Sequence, residues 1–471
     1  MKRKFLSMLP VVALLVILTA CSVPTTPNTP AEESPGKNCS SDNSNSGNQL
    51  TQADETLGLF NVDATLEETV MVDEGGVKIT ATGLTYTDYS VDLDLTIENN
   101  SGKTLSFVSG SLGYSCNSIN GYMVNDGYLN CDVSDGKKAN DSISFNYDTL
   151  MLYGIDEIAD MEIGFSMTDE EYNTIYSGPR QLKTSAYDTH DYSADHYQET
   201  ITSHAAMSTY GYEMTCFSND ALYDENGVKL LSSGIMKNGD GETALLLELE
   251  NTTDSMVYLS ASDIRINGLV VNSSIWSSDA VNSGKRCIVE VLLSSVFDPA
   301  YWSVYGITDI GSVSLSLGQR NEDGLEIAAE IPVEIVIPGV SAELDTTGTE
   351  VYNDSGLRIV TKGVLDDPSD YGADLYVLLL AENNSGKTLT INDVYDSLSV
   401  NGYMTEYSYY SQELEDGGAA ALVIQLWESS LEENRISSPS DIQEIEVGLE
   451  IKEGYTAIDE PTVTLAFGEQ N

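Results

Sequence analysis

The chain has 471 residues, of which 75 are Asp or Glu and 21 are Lys or Arg, giving a formal net charge of −54. Such a surface repels nucleic acid, which is held by cations that release its counterions, and it disfavours adhesion to anionic lipid headgroups. The length suits about three domains of ordinary size, and a 41% hydrophobic content is enough to give each its own core.

The first element is an export signal. Lys2, Arg3 and Lys4 form a positive start, and residues 9–18 form an apolar run too short for a permanent bilayer span, which needs roughly 20 residues. Leu18, Thr19, Ala20 and Cys21 close it, with Ala20 the small residue that a peptidase requires before its cut. This stretch resembles the lipobox of bacterial lipoproteins. The resemblance implies that residues 1–20 are removed and that Cys21 carries a thioether-linked diacylglyceryl group. Two acyl chains, at about 0.8 kcal/mol per buried methylene, make a stable anchor. The expected location is therefore the outer side of the cell membrane, held through the N-terminal lipid. Residues 21–57 follow as the lipidated cysteine and a linker rich in Ser, Thr, Asn and Pro. Its few large apolar residues cannot offset ordering entropy, which predicts a flexible tether reaching on the order of 30–36 Å.

Beyond the tether the sequence repeats three times. A turn into a strand occurs as Asp73-Glu-Gly-Gly-Val-Lys-Ile79, Asp224-Glu-Asn-Gly-Val-Lys-Leu230 and Asn353-Asp-Ser-Gly-Leu-Arg-Ile359. Next comes a strand that ends on Asn, with Glu98-Asn-Asn-Ser-Gly-Lys-Thr-Leu105 matched by Glu382-Asn-Asn-Ser-Gly-Lys-Thr-Leu389. A hairpin motif follows as Ile119-Asn-Gly-Tyr-Met123, Ile266-Asn-Gly-Leu-Val270 and Val400-Asn-Gly-Tyr-Met404. A glycine turn then leads into another strand, as Asp135-Gly-Lys137, Ser283-Gly-Lys285 and Asp416-Gly-Gly418. Asn-Gly and Asp-Gly supply the positive φ of tight hairpins. Between them, Ser90–Ile97 and Glu444–Ile451 alternate apolar and polar residues, which predicts strands with one buried face. Helical periodicity is confined to short stretches near residues 297–305 and 430–436. The repeats are expected at 58–187, 205–339 and 340–471, with a linker and hinge at 188–204. The fold class is all-β: three tandem immunoglobulin-like β-sandwich domains after a lipoprotein signal peptide and a disordered linker.

This arrangement resembles the immunoglobulin-like modules of uncharacterised surface lipoproteins from Gram-positive, clostridia-like bacteria, over about residues 60–467. The resemblance implies an envelope location and supplies no catalytic residues.

Catalysis reads poorly. The three histidines, His190, His196 and His204, all lie in or beside the expected linker, so Ser-His-Asp and Cys-His chemistry lack a base within the repeats. No cofactor is expected. A metal site from His190, Asp191, Asp195 and His196 would rest on a flexible stretch that holds ligands badly. Acidic loops offer a Ca²⁺ reading, but the nearest look-alikes, residues 238–242 and 366–370, lack EF-hand spacing. Cys116 with Cys131, and Cys216 with Cys287, are the same-repeat pairs open to disulfide formation in an exported chain; free thiols are the other reading.

Tyrosine stands out, with 27 Tyr against 8 Phe and 3 Trp. Tyr403, Tyr407, Tyr409 and Tyr410 cluster after the third Asn-Gly turn. Rings at alternating positions such as Tyr407 and Tyr409 share a strand face, where they would either contact a glycan or protein ligand or pack as ordinary strand aromatics. The expected function is a non-enzymatic, lipid-anchored surface protein that acts as a spacer or a binding and adhesion array. Carbohydrate or cell-wall binding through exposed tyrosines is the alternative, and an acidic-residue hydrolase is the third reading.

Overall fold

Alternation decides the strands. In Ser90–Asn99 the side chains of Val91, Leu93, Leu95 and Ile97 are buried, and in Glu444–Glu453 those of Ile445, Val447, Leu449 and Ile451 are buried. These are the faces that period two assigns to a core. The structure is a computed structural model that describes residues 57–467 except 111–116, 220–222, 271–276, 294–298, 322–323, 338 and 367–373. The export signal, Cys21, the tether and Cys116 lie outside the described residues.

The described chain is all-β, with a few short helices. A four-stranded antiparallel sheet in the first repeat runs Thr69–Glu74, Val77–Tyr86, Ser90–Asn99, Lys137–Asn146. The second sheet crosses a repeat boundary. It starts in the second repeat with Tyr212–Ser218, Val228–Asn238, Thr243–Asn251 and Arg286–Leu292. It then continues into the first repeat through Tyr122–Met123, Ser118–Ile119, Asp160–Asp169, Leu105–Ser109 and Leu129–Val133. A third sheet crosses the next boundary in the same manner, with Leu269–Val270 of the second repeat lying beside Ala419–Leu426 of the third. A fourth, within the third repeat, is built around Glu444–Glu453.

The repeated landmarks have tertiary duties as well as local ones. Gly76 and Gly356 adopt φ of +81° and +89°, and a Cβ there would meet the carbonyl oxygens of Asn100 and Asn384 at 2.5 and 2.6 Å. The asparagine that ends the following strand is fully buried in all three repeats. Asn383 Nδ2 donates to the carbonyls of Lys387 (2.7 Å) and Leu414 (2.8 Å), while its Oδ1 accepts from Ser385 N at 3.0 Å. Asn99 makes the same three bonds with Lys103, Val133 and Ser101, and Asn251 with Ser255, Val281 and Thr253. Asn383→Ala leaves two carbonyls and an N–H without these bonds. It is expected to lower the stability of the third repeat by about 2 kcal/mol, measured by calorimetry.

The core divides into three main clusters, and each spans repeats, with Val270 of the second repeat packing in the cluster of the third. Met123 of the first repeat packs in the cluster of the second, as do Val360, Leu378, Leu380 and Ala421 of the third. Met214, Met236, Ala244 and Leu246 of the second repeat pack in the cluster of the first.

The stretch 188–204, read as a hinge, is folded. His196–Ile201 and His204–Tyr210 are helices capped by the side chains of Asp195 and Ser203, and Tyr197 and Ile201 are buried in the core of the first repeat.

Candidate functional site

The Asn-Gly hairpins are where chemistry converges. Asn120, Asn267 and Asn401 take φ near +50°, which asparagine tolerates and the following glycine continues. Their side chains also pin each hairpin to the strand that follows. Asn120 Nδ2 donates to Glu157 O (2.7 Å), and its Oδ1 accepts from Ala159 N and Asp160 N. Asn267 does the same with Asp309, Gly311 and Ser312, and Asn401 with Asp441, Gln443 and Glu444. Each hairpin is thereby held at the end of its repeat.

The first hairpin docks on the second repeat. Arg286 N donates to Gly121 O at 2.9 Å, and Tyr122 and Arg286 face each other in a parallel pair. Arg286 Nη1 lies 2.9 Å from Asp195 Oδ2, 3.2 Å from Glu248 Oε1 and 3.1 Å from Tyr122 Oη. Tyr122 Oη in turn has Glu248 and Asp195 carboxylates at 3.3 and 3.4 Å to donate to. Gln198 Nε2 and Ser232 Oγ donate to the other oxygen of Glu248 at 2.8 and 2.9 Å. Burial, then the charge of Asp195, pushes the Glu248 carboxyl above the usual range, against those two donors and the Arg286 charge. Lys285 adds an ion pair to Glu162 of the first repeat at 2.9 Å.

The second hairpin docks on the third repeat in the same register. Leu269 and Val270 pair in parallel with Ala419 and Ala420, and Arg265 donates to Glu415 Oε2 at 2.7 Å. Tyr305, fully buried, donates from its hydroxyl to Leu379 O of the third repeat at 3.0 Å. Beside it, Lys362 Nζ donates to the carbonyls of Asp345 and Thr347. The Asp345 carboxyl is held at about 2 by the Thr347 hydroxyl and N–H and by Lys362. These joints were not foreseen from sequence. The one local signal was an apolar or aromatic residue directly after each Asn-Gly.

The sequence-singled residues fare unevenly. Tyr407 and Tyr409 do share a face, and that face turns inward. Tyr407 donates to Asp393 Oδ2 (2.7 Å) and Tyr409 to Ile391 O (3.0 Å), with both rings packed on the core of the third repeat. Only Tyr403 and Tyr410 of the four are exposed, so the cluster is not one open aromatic platform. The pairing of Cys216 with Cys287 is corrected. Cys216 is disulfide-bonded, whereas Cys287 is a buried thiol. Two strands, Val228–Asn238 and Thr243–Asn251, lie between them. Three strand spacings of about 4.8 Å put them on the order of 14 Å apart, twice the Cα separation a disulfide spans. Cys131 is likewise a thiol, so it is not bonded to Cys116.

His190 and His196 have ring centroids 5.4 Å apart, but Asp195 is spent on the helix cap and Arg286, and Asp191 on Ser193. Among the described residues no group of three or more His, Cys, Asp or Glu is placed to hold a metal ion. Residues 238–242 form a closed turn in which Asn238 bonds Asp240 and Glu242. An open groove of about 410 Å³ lies beside Tyr352, Asp354, Lys387 and Asp459 in the third repeat.

No family model matches the chain, and no curated protein is similar to it in sequence. Solved structures give remote likenesses. A protein of unknown function from Porphyromonas gingivalis is 12% identical over 48% of this chain and 92% of its own, with a TM-score of 0.15. A bacterial ice-binding adhesin of 1.5 MDa is 11% identical over 80% and 90%, at 0.13. The exo-chitosanase of Amycolatopsis orientalis is 6% identical over 86% and 79%, at 0.16. At such TM-scores these likenesses carry no argument about this chain.

Proposed function

We propose that this chain is a lipid-anchored protein of the outer cell surface, without catalytic activity, in which three immunoglobulin-like β-sandwich units form a display or spacer. The reading of the anchor rests on the run from Lys2 to Cys21. The observation that carries the spacer reading is the pair of buried joints, at Tyr122–Arg286 and at Leu269–Ala419, made by one repeated hairpin in one register. A spacer must transmit distance, and joints that share sheets and core side chains resist bending as a flexible linker would not. The tyrosines of the third repeat do not favour glycan binding over this reading, because Tyr407 and Tyr409 are committed to internal partners.

Metabolic labelling with palmitate tests the anchor. The wild-type chain is expected to take up label and Cys21→Ala to lose it, with the protein shifting from membrane to medium. Equal labelling of the two overturns the reading.

A further inference from the structure

The two joints follow one rule. In each, the residue after Asn-Gly pairs in parallel with the residue two places beyond the turn glycine of the next repeat: Tyr122 with Arg286, and Leu269 with Ala419. The receiving turns are equivalent atom by atom. Gly136, Gly284 and Gly417 donate to Asn99, Asn251 and Asn383, and the next residue donates to Ser134, Asn282 and Glu415. This fixes Lys138, Arg286 and Ala419 as counterparts, and Tyr122, Leu269 and Tyr403 as counterparts.

Among the described residues, three hairpins and three receiving edges make two joints, and one of each is left over. Among the described residues the third hairpin, Tyr403–Met404, pairs only with Ser399–Val400, and Tyr403 and Met404 are 59% and 61% exposed. Tyr122 and Met123, in the same Asn-Gly-Tyr-Met sequence, are each 6% exposed. At the other end, Lys137–Asn146 pairs with Ser90–Asn99, and among the described residues no strand pairs with its outer edge. Lys137 and Lys138 there are exposed.

The charges also match. At the first joint Lys285 pairs with Glu162, the residue opposite Ser118 in the donor hairpin. The residue opposite Ser399 in the third hairpin is Glu446, which is exposed, and the counterpart of Lys285 in the first repeat is Lys137. Two adjacent lysines on one edge are unusual in a chain with 21 basic residues against 75 acidic ones.

We infer that the chain associates end to end with further copies of itself: the Asn401–Met404 hairpin of one copy adds to the Lys137–Asn146 edge of the next, with Tyr403 opposite Lys138 and Glu446 beside Lys137. The contact is heterologous, so it leaves a free end on each side and extends rather than closes. An unpaired strand edge is the kind of surface that such addition covers. The inference is independent of the lipid anchor.

Sedimentation velocity on the full chain in a non-ionic detergent tests it, at about 0.15 M salt, where charge repulsion is screened beyond about 8 Å. The wild-type sedimentation coefficient is expected to rise with concentration towards about 1 mM, the scale of effective concentration at which linked modules meet. Tyr403→Asp removes a competent hairpin and Lys137→Glu/Lys138→Glu a competent edge. Each variant is expected to stay monomeric with an unchanged circular dichroism spectrum. Mixed together they are expected to give dimers and nothing larger, because each retains one working end. A wild-type chain that remains monomeric throughout, or variants that associate as the wild type does, overturn the inference.

Discussion

Arg286→Ala is expected to destabilise the joint between the first and second repeats by about 3 kcal/mol, because it leaves the Glu248 carboxylate buried without its cation. The loss has a defined pH dependence. Glu248 already sits above the usual carboxylate range through burial and Asp195, and removing Arg286 drives it higher. A carboxyl whose folded pKa exceeds its unfolded value binds its proton more tightly in the native state. Its contribution to stability is therefore present at pH values below the unfolded pKa, about 4.3, and is lost as pH rises through the folded one. The variant is thus expected to fall furthest behind wild type at neutral pH and to recover on acidification towards pH 4–5. Adding Glu248→Gln to Arg286→Ala is expected to restore part of the loss at neutral pH. Calorimetry across this pH range checks all three; a deficit of constant size would show that Glu248 is not the group responsible.

Tyr305→Ala acts on the second joint. The side chain is fully buried between the second and third repeats, and its truncation is expected to cost about 3–5 kcal/mol. Tyr305→Phe keeps the packing and removes the bond to Leu379 O, for a loss of about 1 kcal/mol. The bond joins the repeats, so the alanine variant is also expected to separate the calorimetric transitions of the second and third repeats. A single transition at the wild-type temperature would refute its place in the joint.

Much of the architecture was legible in the sequence because it rests on local rules. Ser90–Asn99 and Glu444–Glu453 announce their buried faces by alternation, and the Asn-Gly and Asp-Gly turns announce their hairpins through positive φ. Faces and sides were harder. That Tyr407 and Tyr409 point the same way follows from period two, but that they point inward follows from Asp393 and Ile391 on a neighbouring segment. Residues 188–204 looked polar and loose because their partners are distant: Asp195 is held by Arg286, and Gln198 by Glu248, on strands of the second repeat. The Cys216–Cys287 pairing failed for a similar reason. Membership of one repeat says nothing of how many strands lie between two positions.

The clearest division lies in one tetrapeptide. The sequence by itself determines that Asn-Gly-Tyr-Met at 120–123 and at 401–404 is a tight hairpin, since the turn depends only on the backbone preferences of Asn and Gly. It does not determine that Tyr122 is buried against Arg286 while Tyr403 stands exposed. A strand edge is satisfied by whatever backbone lies beside it, and the first hairpin has another repeat beside it whereas the third has none among the described residues. That difference comes from the order in which the repeats are stacked, and only the tertiary structure contains it.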